Sequence, residues 1–91
     1  MKILAVCGNG LGSSFMLSIN VNKIMKKLGV NGECKNLDLA SAKTESADVY
    51  IGSPEIMEQL KDATRQTISI INVGSLDEIE SVLQKYLNEE V

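Results

Sequence analysis

Three times along this chain an apolar, β-type run stops at a glycine followed by serine or by a glycine-rich turn, and a helical pattern starts directly behind it. The runs are Ile3-Leu4-Ala5-Val6, closed by Cys7-Gly8; Ala47-Asp48-Val49-Tyr50-Ile51, closed by Gly52-Ser53-Pro54; and Thr67 to Val73, closed by Gly74-Ser75. Strands that are apolar at consecutive positions are buried on both faces. With no hairpin turns between them, they pair in parallel under helices on each side. A weaker strand is read in Glu33-Cys34-Lys35-Asn36-Leu37, where the two-residue alternation is loose. The expectation is an α/β fold: a single doubly wound domain over residues 1–91, with a four-stranded parallel sheet in the order 2-1-3-4. Right-handed crossovers then put the reversal of winding between the first and third strands. Ligands in such sheets bind at the carboxyl ends of the strands at that reversal, where the Cys7 loop and Gly52-Ser53 would flank one crevice.

The helices are legible from their spacing and their ends. Leu17, Val21, Ile24, Met25 and Leu28 define a first helix from about Ser14, with Ser13 or Ser14 as its N-cap and Gly29 as its stop behind Lys26 and Lys27. Leu39 to Glu45 reads as a short helix or an irregular crossover. Ser53 caps and Pro54 opens a helix carrying Ile56, Met57 and Leu60. Ser75 with Glu78 three positions on has capping-box spacing, ahead of an apolar face of Leu76, Ile79, Val82, Leu83, Tyr86 and Leu87. The acidic tail Glu89-Glu90 is expected to fray.

The first of these junctions carries the chemistry. Cys7-Gly8-Asn9-Gly10-Leu11-Gly12-Ser13-Ser14 holds three glycines in five positions, so successive N–H groups can converge on one anion without a Cβ in the way. The cradle opens with a thiol, at the positive end of the following helix, which favours the thiolate. Cys7 is therefore the candidate nucleophile, and Gly8, Asn9, Gly10, Leu11, Gly12, Ser13 and Ser14 are the candidate phosphate-binding residues. Cys34 lacks a cradle and a following helix, and reads as a packed small apolar side chain.

Several classes are excluded by what is missing. The chain has no histidine, so neither a His-ligated metal nor a Cys-His pair can form within it, and no metal or cofactor is expected. Two cysteines in such different contexts suggest a reducing, cytoplasmic setting rather than a disulfide framework. The apolar N-terminal run is too short for a signal sequence, and no stretch suits a membrane span, so no direct membrane insertion is expected. Residues 1–46 carry six lysines against three acids, and residues 47–91 three cations against nine acids. The loop thus lies in the basic half, which suits an anionic ligand or an acidic docking partner. With aromatics at only 3% of the chain, base stacking and nucleic-acid binding are not expected.

A cysteine-dependent phosphatase needs Cys-x5-Arg, and the residue six after Cys7 is Ser13. A dinucleotide fingerprint fails at the same position, where it wants a third glycine, and no lysine follows Gly12 as a P-loop requires. No second cysteine lies near enough in sequence for a Cys-x-x-Cys redox pair. A phosphoryl carrier needs only nucleophile and cradle.

The segment Ile3-Leu4-Ala5-Val6-Cys7-Gly8-Asn9-Gly10-Leu11-Gly12-Ser13-Ser14 resembles the enzyme IIB components of the bacterial phosphoenolpyruvate-dependent sugar phosphotransferase system, most closely the ascorbate and galactitol types. The resemblance implies a phosphotransferase component in which Cys7 accepts a phosphoryl group from a phosphohistidine of a IIA partner and passes it to a sugar carried by a membrane IIC transporter. Lactose- and cellobiose-type IIB proteins share the cysteine but have a loop less rich in glycine. That type, and a small cysteine-dependent phosphatase, are the alternatives.

Overall fold

Strand β1 (Lys2–Cys7) lies in the middle of the sheet, and its residues Ile3, Leu4, Ala5 and Val6 are all buried. Successive side chains of a strand point to opposite faces, so these four belong to two different cores. Ile3 and Ala5 pack with residues of helices α1 (Ser13–Leu28) and α4 (Leu76–Glu89), chiefly Leu17, Val21, Ile79 and Leu83. Leu4 and Val6 pack with Ala42 of α2 (Leu39–Ala42) and with Met57 and Leu60 of α3 (Pro54–Leu60). Two helices therefore cover each face. Each fully buried aliphatic side chain contributes roughly 1.5–3 kcal/mol, so consecutive apolar positions in one strand stabilise both layers at once. The computed structural model describes residues 1–8 and 12–89, apart from the side chain of Glu89; Glu90 of the expected frayed tail lies outside the described residues.

The remaining strands are β2 (Glu33–Asp38), β3 (Val49–Gly52) and β4 (Thr67–Ser69), and the sheet runs β2-β1-β3-β4 with every pairing parallel. The expected order 2-1-3-4 is the observed one, and so is the placement of helices on both faces. The loose alternation of β2 reflects an edge strand, half exposed apart from the buried Cys34. Its outer edge is partly closed by α1, where the Asn22 side-chain amide donates to the Cys34 carbonyl (2.9 Å) and accepts from the Cys34 N–H (2.8 Å). That mimics a neighbouring strand and leaves less unpaired backbone for another chain to join.

Three features at the helix starts differ from expectation. The N-cap of α1 is Gly12, with φ 69° and no side-chain hydrogen bond, and Ser13 and Ser14 lie inside the first turn. A glycine takes the positive-φ conformation that this helix start requires, and no serine can do so at comparable cost. At α4 the capping box forms by half: Ser75 Oγ accepts from the Glu78 N–H at 3.2 Å, but the Glu78 carboxylate accepts from the N–H groups of Ile71 (2.7 Å) and Asn72 (2.9 Å). β4 ends at Ser69, well short of the apolar run to Val73, because its partner β3 stops at Gly52, whose carbonyl accepts the last ladder bond from the Ile70 N–H at 2.8 Å. The third is Leu76, which heads the helical pattern yet is exposed. At the other ends Gly29 stops α1 in the left-handed conformation (φ 74°), and Ser53 caps α3 with Pro54 in its first turn, as the sequence predicts.

Where β1 and β3 meet, Gly52 pairs with Val6, and a Cβ on Gly52 would stand 2.6 Å from the Val6 carbonyl oxygen. The obstacle is backbone, which cannot move without disturbing the central pairing. Gly52→Ala is expected to lower stability by about 1–3 kcal/mol, the usual cost of forced overpacking, measured by urea unfolding.

Candidate functional site

Cys7 is the last residue of β1 and shares the parity of Ile3 and Ala5, so its side chain faces α1. Its Sγ lies 3.0 Å from Ser14 Oγ, the thiol donating to the hydroxyl. Ser14 is only 1% exposed, whereas Cys7 is partly accessible to solvent. The sulfur thus has a buried hydroxyl behind it and solvent in front. A hydroxyl both donates and accepts, so the same contact can serve the thiolate once the thiol proton has left.

The first turn of α1 supplies the adjoining donors. An α-helix leaves its first amides without intrahelical acceptors. Here the N–H groups of Phe15 and Met16 turn to the Gly12 carbonyl (3.1 and 3.2 Å), and those of Ser13 and Ser14 precede them in the same turn, whose Ser14 hydroxyl meets the sulfur. Gly8 and Gly12 are exposed, and a Cβ on either would meet nothing within 4 Å among the described residues, so both border open space. Asn9, Gly10 and Leu11, also expected to bind phosphate, lie outside the described residues. Of the candidate site residues, Cys7, Gly8, Gly12, Ser13 and Ser14 come together at the carboxyl end of β1. Ser14 differs from expectation in one respect: its hydroxyl engages the sulfur.

The neighbouring strands complete the rim. The register sets Cys7 beside Asp38 of β2, and the pairing of Val6 with Gly52 brings Ser53 to the other side. Ser53 Oγ accepts from the Ile56 N–H at 3.4 Å and Asp38 Oδ2 from the Ser41 N–H at 3.0 Å, so both cap helices. Hydrogen bonds from Ser41 hold the Asp38 carboxyl below the usual carboxylate range. Asp38 was not among the sequence candidates, although an Asp three residues before Ser41 at the head of a short helix is a capping signal. Ile71 and Leu76 were also missed as surface residues, because apolar side chains at strand or helical spacing read as core, and Phe15 and Met16, outside the apolar face of the first helix, are exposed as well.

The two thiols differ sharply. Cys34 is 5% exposed, and burial pushes its thiol up to about 12 from an ordinary 9.0. Neither cysteine is in a disulfide. Among the described residues no group of His, Cys, Asp and Glu could hold a metal ion, and no helix is long and apolar enough to cross a membrane. The chain's arginine, Arg65, is bound to Asp62 (2.7 Å) and to the carbonyls of Leu60 and Lys43 (3.0 Å each), at the end of the sheet where β4 begins. It therefore stands away from the carboxyl ends of the strands, where Cys7 lies. A depression of about 470 Å³ between α3 and β4, lined by Met57, Lys61, Arg65, Thr67 and Ser69 among others, contains no cysteine.

Residues 2–85 match the family model described as "PTS system, Lactose/Cellobiose specific IIB subunit". The chain is 33% identical over 90 residues to the "Ascorbate-specific PTS system EIIB component" of Mycoplasma pneumoniae, covering 96% of this chain and 95% of that protein. It is 31% identical over 62 residues to the protein of the same name from Escherichia coli O157:H7, covering 66% of this chain and 61% of that one. A solved structure, the lactose-specific IIB component domain of the phosphotransferase system from Streptococcus pneumoniae, superposes with a TM-score of 0.63 at 18% identity, over 97% of this chain and 95% of that one, a likeness of fold.

The contrast between the thiols is measurable. In the native protein at neutral pH, iodoacetamide is expected to label Cys7 and spare Cys34 until denaturant is added, read by peptide mass spectrometry. Because the folded state holds the Cys34 proton more tightly than the unfolded state, stability from this group is intact below pH 9 and falls as pH rises from about 9 towards about 12. The slope contributed is at most about 1.4 kcal/mol per pH unit, and Cys34→Ala should flatten it.

Proposed function

Because the chain belongs to the IIB family of the sugar phosphotransferase system, whose members are phosphotransferase components working with IIA and IIC partners, we propose that Cys7 is the residue phosphorylated in this protein. The observation that carries the reading is the Cys7 sulfur at the carboxyl end of the central strand, 3.0 Å from the buried Ser14 hydroxyl and beside the first turn of α1. The thiolate attacks the phosphorus of a phosphohistidine on a IIA protein. A P–S bond forms as the P–N bond breaks, and the electron pair stays on the imidazole nitrogen, which takes up a proton. In the second step a sugar hydroxyl bound by a IIC transporter attacks the same phosphorus, the P–S pair returns to Cys7, and the hydroxyl proton leaves to base or solvent. Both steps need the sulfur anionic and the phosphoryl oxygens held. Amides of the glycine segment and of Ser13 and Ser14 serve the oxygens, each charge-assisted hydrogen bond contributing about 1.5–3 kcal/mol.

The ascorbate-specific names of the two relatives, one matched along nearly its whole length, favour an ascorbate-type substrate over the lactose or cellobiose type. A phosphatase is the weaker reading. Hydrolysis in such enzymes depends on an arginine clamping the transferring phosphoryl group, and the arginine of this chain is tied to Asp62 and two carbonyls elsewhere. The lack of such a clamp also leaves a phosphocysteine longer-lived against water.

Incubation with a histidine-phosphorylated IIA protein is expected to give an S-phosphorylated Cys7 peptide, detected by mass spectrometry, and Cys7→Ser is expected to give none. Equal phosphorylation of Cys7→Ser would sink the reading, as would steady turnover of an aryl phosphate by the chain alone. Ser14→Ala, which removes the hydroxyl behind the sulfur, should slow acceptance about 10- to 100-fold, the effect of losing one hydrogen bond to a charged group. Gly10→Val adds bulk in the proposed cradle and should impair acceptance with little change in the unfolding midpoint.

A further inference from the structure

Large apolar side chains left exposed on this protein are gathered at the Cys7 end. Among the described residues they are Ile71 (81% exposed), Phe15 (57%), Met16 (51%), Leu76 (42%) and Ile19 (41%), with Met1 the exception at the opposite end of β1. Phe15 and Met16 directly follow Ser14, whose hydroxyl touches the Cys7 sulfur. The loop that bears Ile71 stands against the same helix: Asn20 Nδ2 donates to the Val73 carbonyl at 2.9 Å, and Met16 Sδ lies 3.9 Å from the Cβ position of Gly74. Phe15, Met16 and Ile19 thus lie on the exposed side of α1, and the turn between Ile71 and Leu76 packs against that helix.

Ile71 is displayed by a built device. The two oxygens of Glu78 accept from the Ile71 and Asn72 amides at 2.7 and 2.9 Å, fixing the backbone in the turn that sends the isoleucine outward. Isoleucine would contribute about 1.5–3 kcal/mol if buried, and contiguous apolar surface of this kind marks an interaction site. Charge narrows the occupant. Beyond Ile19 the exposed side of α1 continues to Lys23 and Lys26, which make no salt bridge among the described residues. Facing them from α4, Glu80 is paired with Lys27 at 2.7 Å, and Asp77 also acts on Lys27. The exposed side of α1 is therefore apolar from Phe15 to Ile19 and basic about one to two helical turns beyond Ile19.

We propose that Phe15, Met16, Ile19, Ile71 and Leu76, flanked by Lys23 and Lys26, form the docking surface for the phosphohistidine donor protein, which would present an apolar patch rimmed by carboxylates. The inference rests on the reading of Cys7 as acceptor. Since this chain has no histidine, the donor imidazole comes on a separate folded surface, and bringing it in line with the sulfur covers the residues around Cys7. An apolar centre with a charged rim is the usual anatomy of such an interface.

The test uses the full chain and a IIA protein. In steady-state transfer, Ile71→Glu and Met16→Glu should each raise the KM for phosphorylated IIA about tenfold or more, with kcat within about twofold of the parent, as expected for centrally placed contacts. Both positions are exposed, so the thermal midpoint should not move. Lys23→Glu with Lys26→Glu should raise KM and flatten its salt dependence. Binding of unphosphorylated IIA to Cys7→Ser by calorimetry separates docking from chemistry: that variant should bind like the parent, and Cys7→Ser with Ile71→Glu about tenfold more weakly or worse. An unchanged KM and an unchanged Kd overturn the docking surface even when Cys7 is phosphorylated. So does a loss in Ile71→Glu of self-association or of binding to phosphatidylglycerol vesicles while the KM for IIA stays the same. Failure of the parent to accept phosphate, with docking intact, overturns the assignment of Cys7 instead.

Discussion

The burial of β1 on both faces is the constraint on which the rest of the molecule depends. A strand flanked by β2 and β3 and covered by two helices on each side must be apolar at every position it presents, and Ile3, Leu4, Ala5 and Val6 meet that condition. Parity along the strand then decides where Cys7 points. Because Ile3 and Ala5 belong to the α1–α4 core, Cys7 emerges towards α1, where Ser14 stands behind it. A shift of one residue in pairing would turn the sulfur towards α2 and α3 and away from the helix end that faces it now. The close approach of Gly52 to the Val6 carbonyl guards that register.

The junctions between strands and helices divide the work of glycine and serine. Gly12 takes the backbone conformation that begins α1, which frees Ser13 and Ser14 from capping. At α3 and α4, by contrast, the serine hydroxyls of Ser53 and Ser75 cap their helices. The same residue types in similar settings thus do structural work at two junctions, and at the first Ser14 touches the Cys7 sulfur. The two cysteines show the same dependence on position: one sits at a strand end by a helix terminus, the other inside the core with its proton held by burial.

The proposed docking and the proposed chemistry at sulfur place different demands on the same end of the sheet. The proposed chemistry calls for polar groups within hydrogen-bond reach, about 3 Å, of the sulfur and its phosphoryl group. The proposed docking calls for apolar area around them. Glu78 holds the turn that follows β4, and that turn packs on α1. A loop held by a carboxylate can display Ile71 without needing it for the fold.

The amino-acid sequence by itself determined the class of fold, the strand order, the positions of the three longer helices and the identity of Cys7 as the candidate nucleophile. These follow from short-range physics: hydrophobic period, the conformational freedom of glycine, the capping power of serine, and the count of residues that chemistry requires. Only the tertiary structure decided that Ser14 would face the sulfur, that Gly12 would replace the serines as cap, that Glu78 would bind the amides of Ile71 and Asn72, and that Phe15, Met16, Ile71 and Leu76 would stay outside. Each of these depends on which segments come within a few ångströms of one another after the sheet has closed. Periodicity marks a side chain as apolar, but whether it is covered depends on a neighbour that lies far away in sequence.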